Sequence, residues 1–542
     1  MPRSKTKRRS KSKHAACSLP HLARQARGST PVAYVLDYFR KKIRAPFISP
    51  LAAQFEFCTE RPTQVEVPSR DRVEVLAAIE EELENHHLYL SNFLTHPLYG
   101  DERQIGFSRG DTLRPFALRE TVPGVYQFRV QGIAVGRTDM YRLLRGPNLD
   151  GPRAPDLPRP PAGHHRIFLV MPANPNAAGV DDTEWYDFKP SRFRRHHPKL
   201  RLRDPIPILF RRRDRDDVLS PHYEKLYADG VVRIAFLFGF DEGSHLTSQD
   251  ARAIWQILTA PPSRRFTRRT NGDYGYHGPG LGFSDPTGGD FDRLNLDGTT
   301  VLRRDSMNGM GPAVVRYRLS SPLKAGGVRA PEGSITVGDR PAPLGDVIPA
   351  GTLIERALAV EIRLYNFDKS SDGRSPDDLI RQFVSVFGDN DLIHYDGHAN
   401  YGGGFFVGDQ PDDILWAVDI GAYRRYFSPA YQIFSIGACH GAGYFADLFY
   451  NELKPRKSPR NLDIVAAVNE AAFDDAVQQG LELVSAVLQL KGKASGEPRD
   501  WASILLAQSR PASFQAYLGV FGHPRAKGAL LHGVGKANTA SA

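Results

Sequence analysis

The chain has 542 residues, 41% of them hydrophobic and 24% charged, with a net charge of +10. That length predicts two or three folded units, and the composition is that of an ordinary globular protein. No stretch approaches the roughly 18 apolar residues a membrane-spanning helix needs, and the lysine- and arginine-rich start lacks the apolar core of a secretory signal. Three scattered cysteines, Cys17, Cys58 and Cys439, cannot build a disulfide framework, and a reducing cytoplasm is the expected compartment.

In chain order, residues 1–30 are expected to be a disordered basic tail, with seven Lys/Arg and no acid between positions 3 and 13. Residues 31–145 form an N-terminal mixed region. Within it, Val73–Leu90 has helical spacing and Gly124–Val135 alternates as a strand does. Residues 146–230 begin with spaced prolines up to Pro161, read as a linker or long surface loop. A short apolar strand, His165–Met171, and an arginine-rich tract from Arg192 to Arg215 follow. The two basic tracts are read as solvated surface; the alternative is contact with nucleic acid or an anionic surface through counterion release.

From residue 231 to about 525 the pattern becomes regular. Strands are expected at Val231–Phe240, Ala359–Asn366, Leu392–Tyr395, Ile433–Ile436 and Leu462–Val468. Helices are expected at Ser244–Leu258, after the Ser375-Pro376 cap, at Asp412–Phe427, at Gly443–Leu453 and at Phe473–Leu490. This alternation predicts an α/β fold: a largely parallel sheet flanked by helices, with ligand-binding groups beyond the carboxyl ends of the strands. Residues 260–353, dense in glycine and proline, read as an exposed insertion with some strands, such as Ala313–Leu319; residues 526–542 read as a flexible tail.

Two of the predicted strands end in reactive side chains set among small residues. One runs Asp391-Leu-Ile-His-Tyr-Asp-Gly-His398 and the other Tyr431-Gln-Ile-Phe-Ser-Ile-Gly-Ala-Cys439. Thiolate catalysis needs a thiol, an imidazole within reach and free N–H groups for an oxyanion. His398 and Cys439 are the candidate catalytic residues. The amides of Cys439 and Ala399 are the candidate oxyanion donors. Gly437, Ala438 and Gly441 are expected to leave room for a substrate backbone. Asp396 has two readings, an orienting carboxylate for His398 or a solvated turn carboxylate. His394 is expected to be packed in the sheet, and His440 to be a surface or helix-start residue. Glu470, just past the fifth strand, is either a substrate-pocket carboxylate or part of a surface turn. No cofactor or metal is expected: His196-His197 lacks partner ligands, and Asp290, Asp292, Asn295 and Asp297 do not match a calcium loop.

These blocks resemble the clan of cysteine peptidases that includes caspases, clostripain, gingipains, legumain and separase. Ile393-His-Tyr-Asp-Gly-His-Ala399 is similar to the gingipain histidine block, in which a strand ends in Gly-His-Gly. Gly437-Ala-Cys-His-Gly441 is similar to the caspase Gln-Ala-Cys-x-Gly. The resemblance spans Val231 to Phe521 with the insertion discounted. It implies a caspase-like fold, endopeptidase activity on polypeptides through a thioester, and His398 and Cys439 as the dyad. Ala399 stands where the clan has glycine, and Gly437 where caspases have glutamine, so a caspase-type aspartate preference is not implied. Other readings are an inactive module that binds peptide in the same cleft, and a nucleic-acid-associated protein whose basic tracts are the working parts.

Overall fold

The computed structural model describes residues 30–43, 47–94, 105–106, 113–137, 157, 160–169, 204, 206–212, 220–239, 246–267, 276–284, 297–303, 313–319, 321–324, 336–337, 340–341, 347–367, 375–400, 403–408, 413–439, 441–468, 471, 473–490, 498–509 and 518–522. The tail at 1–29, the proline-rich stretch up to residue 156 and the arginine tract before residue 204 lie outside them. So do Glu470, His440, the His196-His197 pair and Asp290 to Asn295.

The amino-terminal part is built on a seven-stranded antiparallel sheet. Its long central strand, Val125–Arg137, pairs with Ala52–Thr59, Thr63–Glu66 and Arg114–Val122. The expected helix runs Arg72–Leu94 and buries Val75, Leu76, Ile79 and Leu83 along one stripe. Strands His164–Leu169 and Ile206–Arg212 join the same sheet through Ala52–Thr59. The segment expected to be linker and basic tract therefore contributes two strands to the amino-terminal sheet.

The second sheet carries the regular pattern. Seven of its eleven described strands are β1 (Phe47–Ile48), β2 (Val231–Phe238), β3 (Leu353–Asn366), β4 (Leu392–Asp396), β5 (Gln432–Gly437), β6 (Leu462–Ala467) and β7 (Leu518–Phe521). Their spatial order is β1-β7-β6-β5-β4-β2-β3. β3, β2, β4, β5 and β6 run parallel, and β7 and β1 close that edge antiparallel. The amino-terminal part thus supplies the outermost strand of the carboxyl-terminal sheet.

Helices cover both faces, which is why the central strands are apolar throughout. On one face lie α1 (Leu246–Thr259), α4 (Phe473–Val487) and α5 (Trp501–Gln508), packed on Val232, Ile234, Phe236, Ile433 and Val465. On the other lie α2 (Pro376–Asp389), 3₁₀ turns at Ala417–Tyr426 and α3 (Ala446–Glu452), packed on Leu237, Ile393, Tyr395, Phe434 and Ile464. Ser375 caps α2 as its sequence predicts, its side chain accepting from the Asp378 N–H at 3.3 Å with Pro376 in the first turn.

Three expectations change. Asp412–Phe427 is not one helix: a short strand, Ile414–Trp416, precedes the 3₁₀ turns, in which Gly421 sits against Glu452. Gly443–Leu453 divides into a turn at Gly441–Tyr444 and α3. The insertion is not simply an exposed excursion: Ala313–Arg318 and Asp297–Arg303 pair antiparallel with β3. Ala313, Val315 and Tyr317 are buried beneath that edge, where Tyr317 meets Tyr227 at 5.5 Å. Among the described residues, no helix is long and apolar enough to cross a membrane.

Candidate active site

The site rests on the register of two adjacent parallel strands. Leu392 faces Ile433, His394 faces Ser435 and Asp396 faces Gly437. His398 and Cys439 each follow two residues after that last rung, where the chain leaves the carboxyl end of the sheet. Neighbouring strands lie about 4.8 Å apart, so the two segments depart side by side. Both residues are half-buried. Cys58 and Cys439 are not in disulfides.

One rung below, His394 and Ser435 share a hydrogen bond of 3.0 Å between Nδ1 and Oγ. His394 is fully buried and meets Phe236 edge-on at 5.6 Å. Burial pushes its pKa down to about 4, so the ring is neutral near pH 7. It is packed in the sheet, as its position predicts. Asp396, on the same face, is also completely buried. The solvated-turn reading of Asp396 fails because the residue is the last of the strand and none of it reaches solvent.

The loop bearing His398 is held from the opposite face. The Tyr395 hydroxyl donates to the His398 carbonyl at 2.9 Å and accepts the Phe406 N–H at 3.2 Å. Burial raises the Tyr395 pKa, so the hydroxyl stays protonated. Its ring crosses two glycines: a side chain on Gly397 or Gly239 would begin 2.7 or 2.6 Å from the hydroxyl oxygen. Beyond His398, Ala399 pairs with Phe405 in a small antiparallel sheet. Phe405 stacks on Phe445 at 4.1 Å and meets Tyr395 edge-on at 4.9 Å. Such aromatic pairs each add about 0.5–1.5 kcal/mol beyond their buried area. The His398 ring itself meets Phe406 at 6.0 Å.

Cys439 is placed by tight packing behind it. Ala438 is buried in the apolar cluster that also holds Ile436, Ala442 and Ala466. Room at Gly437 is already taken, because a side chain there would begin 2.9 Å from both the Ala476 Cβ and the Tyr395 carbonyl oxygen. Gly441 likewise abuts Ile436 and Ala466. Both glycines serve close packing of the strand end, and the substrate clearance expected at them is not what they provide. The thiol donates to the Ala471 carbonyl at 3.5 Å, in the loop between β6 and α4. A carbonyl only accepts, so this contact belongs to the neutral thiol, and a thiolate would have to swing away from it.

Two participants escaped the sequence reading. Tyr395 left a trace, since an aromatic two residues before a glycine, with another glycine after the neighbouring strand, marks a ring lying across both. The Ala471 carbonyl left none, because main-chain placement in a loop depends on packing far along the chain. Among the described residues, no three His, Cys, Asp or Glu side chains gather in a way that would hold a metal ion.

No family model, curated protein or solved structure matches the chain.

Proposed function

We propose that the chain is a cysteine peptidase with a caspase-like fold, acting on polypeptides in a reducing, cytoplasmic setting. The observation that carries this reading is the shared register. His398 and Cys439 follow the same Asp396–Gly437 rung on adjacent parallel strands, at the carboxyl end where α/β sheets gather their chemistry. The histidine-then-cysteine order, the small residues around both and the helices on both faces support it further.

In this mechanism the Cys439 thiol swings off the Ala471 carbonyl, passes its proton to His398 and attacks the scissile carbonyl carbon. The amides of Ala399 and Cys439 stabilise the oxyanion. The tetrahedral intermediate collapses to a thioester as His398 protonates the leaving amine. Water, deprotonated by His398, then hydrolyses the thioester and returns the thiol.

A peptide chloromethyl ketone tests the reading directly. The full chain should be alkylated at Cys439, with labelling lost in Cys439→Ala and strongly slowed in His398→Ala. A chain that leaves Cys439 unlabelled while Cys58 reacts is not a peptidase, and the cleft would then be one that only binds peptide.

A further inference from the structure

A cavity of about 740 Å³ opens at the opposite rim of the sheet, at the amino ends of β5 and β6. Its wall includes Arg424 and Arg425 from the 3₁₀ turns, Pro429 from the entry to β5, and Arg456 and Asn461 from the loop before β6. We infer that this cavity is a binding site for a small ligand carrying two adjacent phosphate groups, separate from the His398–Cys439 centre.

Two of the three arginines are held in place by main chain, and the third by an aromatic side chain. Arg424 donates from Nε and Nη2 to the Glu452 carbonyl. Arg456 donates from Nε to the Phe427 carbonyl. Arg425 lies over the Tyr426 ring at 5.0 Å, its Nη2 donating to the phenol oxygen at 3.1 Å. Asn461 ties the two loops together, its Nδ2 donating to the Pro429 and Arg456 carbonyls at 3.0 Å each. A guanidinium has five N–H donors, so each arginine keeps several for a ligand, in a fork that suits phosphate oxygens.

Among the described residues, no carboxylate lies within 4 Å of Arg424, Arg425 or Arg456 as an ion pair. Glu452 Oε2 lies against Gly421 on the neighbouring turn. Lys457 adjoins the arginines, fully buried, its Nζ donating to the Ala430 carbonyl at 2.8 Å. Burial, with Arg456 alongside, pushes its pKa down to about 7. Two anchored guanidinium groups and a third stacked on Tyr426, around one hollow, call for a compact ligand of more than one negative charge.

Calorimetric titration of the full chain with sodium pyrophosphate tests the inference. Saturable binding is expected, weakened by about tenfold or more in Arg425→Glu and in Arg456→Gln. Arg425 is exposed and makes no main-chain bond, so Arg425→Glu should keep the wild-type unfolding profile; Arg456→Gln loses the bond to the Phe427 carbonyl and is read only while still folded, and Arg381→Gln on α2 should bind as wild type does. Sulfate, with a single anionic centre, should bind at least about tenfold more weakly than pyrophosphate. Absence of saturable binding, affinity retained in both rim variants, or equal affinity for sulfate would each overturn the assignment. Cys439→Ala should bind pyrophosphate normally, so this result stands or falls apart from peptidase activity.

Discussion

The Tyr395 hydroxyl and the His398 carbonyl form a hydrogen bond of 2.9 Å that ties the candidate catalytic loop to the buried face of the sheet. The same oxygen receives the Phe406 N–H, so one phenol fixes both arms of the loop. Tyr395→Phe keeps the ring and removes both bonds, leaving a buried carbonyl and amide short of a partner at a cost of about 1–3 kcal/mol. The expected result is a modest fall in the urea midpoint with a disproportionate fall in kcat, on the order of tenfold or more as the imidazole loses its fixed position. Unchanged kcat at reduced stability would show that Tyr395 serves the fold alone.

Glycine at 437 and 480 sets how closely α4 approaches the dyad's strands. A side chain on Gly480 would begin 2.7 Å from Phe236 and 2.8 Å from His394, both fully buried and unable to retreat. Helix propensity favours alanine at position 480 by about 1 kcal/mol, whereas overpacking costs about 1–3 kcal/mol. The clash should win, and Gly480→Ala should lower the urea midpoint. Gly437→Ala meets the Tyr395 carbonyl, which belongs to the sheet and yields even less. It should destabilise at least as much and also slow chloromethyl ketone labelling of Cys439.

Most of this architecture was legible in the sequence because the parallel strands are buried on both faces and read as apolar runs. Ser375-Pro376 announced α2, and the two reactive strand ends stood out by their small flanking residues. What could not be seen depended on distant partners. Two-residue strands such as β1 have no periodicity, and their existence rests on pairing with β7 more than 470 residues later. Val315 and Tyr317 alternate with exposed residues as an edge strand should, yet only β3 decides that their inner face is covered. The burial of Asp396 was hidden for the same reason: a carboxylate beside glycine looks like a turn until its surroundings are packed.

Two desolvated groups near β4 should give stability opposite dependences on pH. His394 titrates at about 4 when folded, against 6.5 as its ordinary value. Between those values the unfolded chain holds more protons, so this contribution is present above pH 6.5 and lost as pH falls through 4. Asp391, half-buried and accepting the Arg233 N–H at 2.9 Å, is pushed up by burial to about 7 from 3.8. There the folded chain holds the proton, so stability is lost as pH rises from 3.8 through 7. Asp391→Asn removes the second effect. Its stability relative to wild type should rise between pH 4 and pH 7.5 by roughly 2 kcal/mol, solvent screening included. Urea unfolding at the two pH values measures this; a constant difference would refute it.

Gln489 joins the inserted strand to the end of α4 by imitating a strand partner. Its Oε1 accepts the Arg316 N–H at 2.8 Å, and its Nε2 donates to the Arg316 carbonyl at 2.5 Å. The residue reaches them from a left-handed backbone, φ +56°, a conformation that carries a cost of about 1–3 kcal/mol outside glycine. A side chain kept in that conformation is expected to repay it through these two bonds. Gln489→Ala should therefore lower stability by about 1–2 kcal/mol and raise hydrogen exchange at the Arg316 amide. Gln489→Gly should lose the same protection with a smaller loss of stability, because glycine relieves the backbone cost. If the Arg316 amide stays protected in both variants, pairing with β3 alone holds the strand, and the glutamine is incidental to the way the insertion closes the sheet.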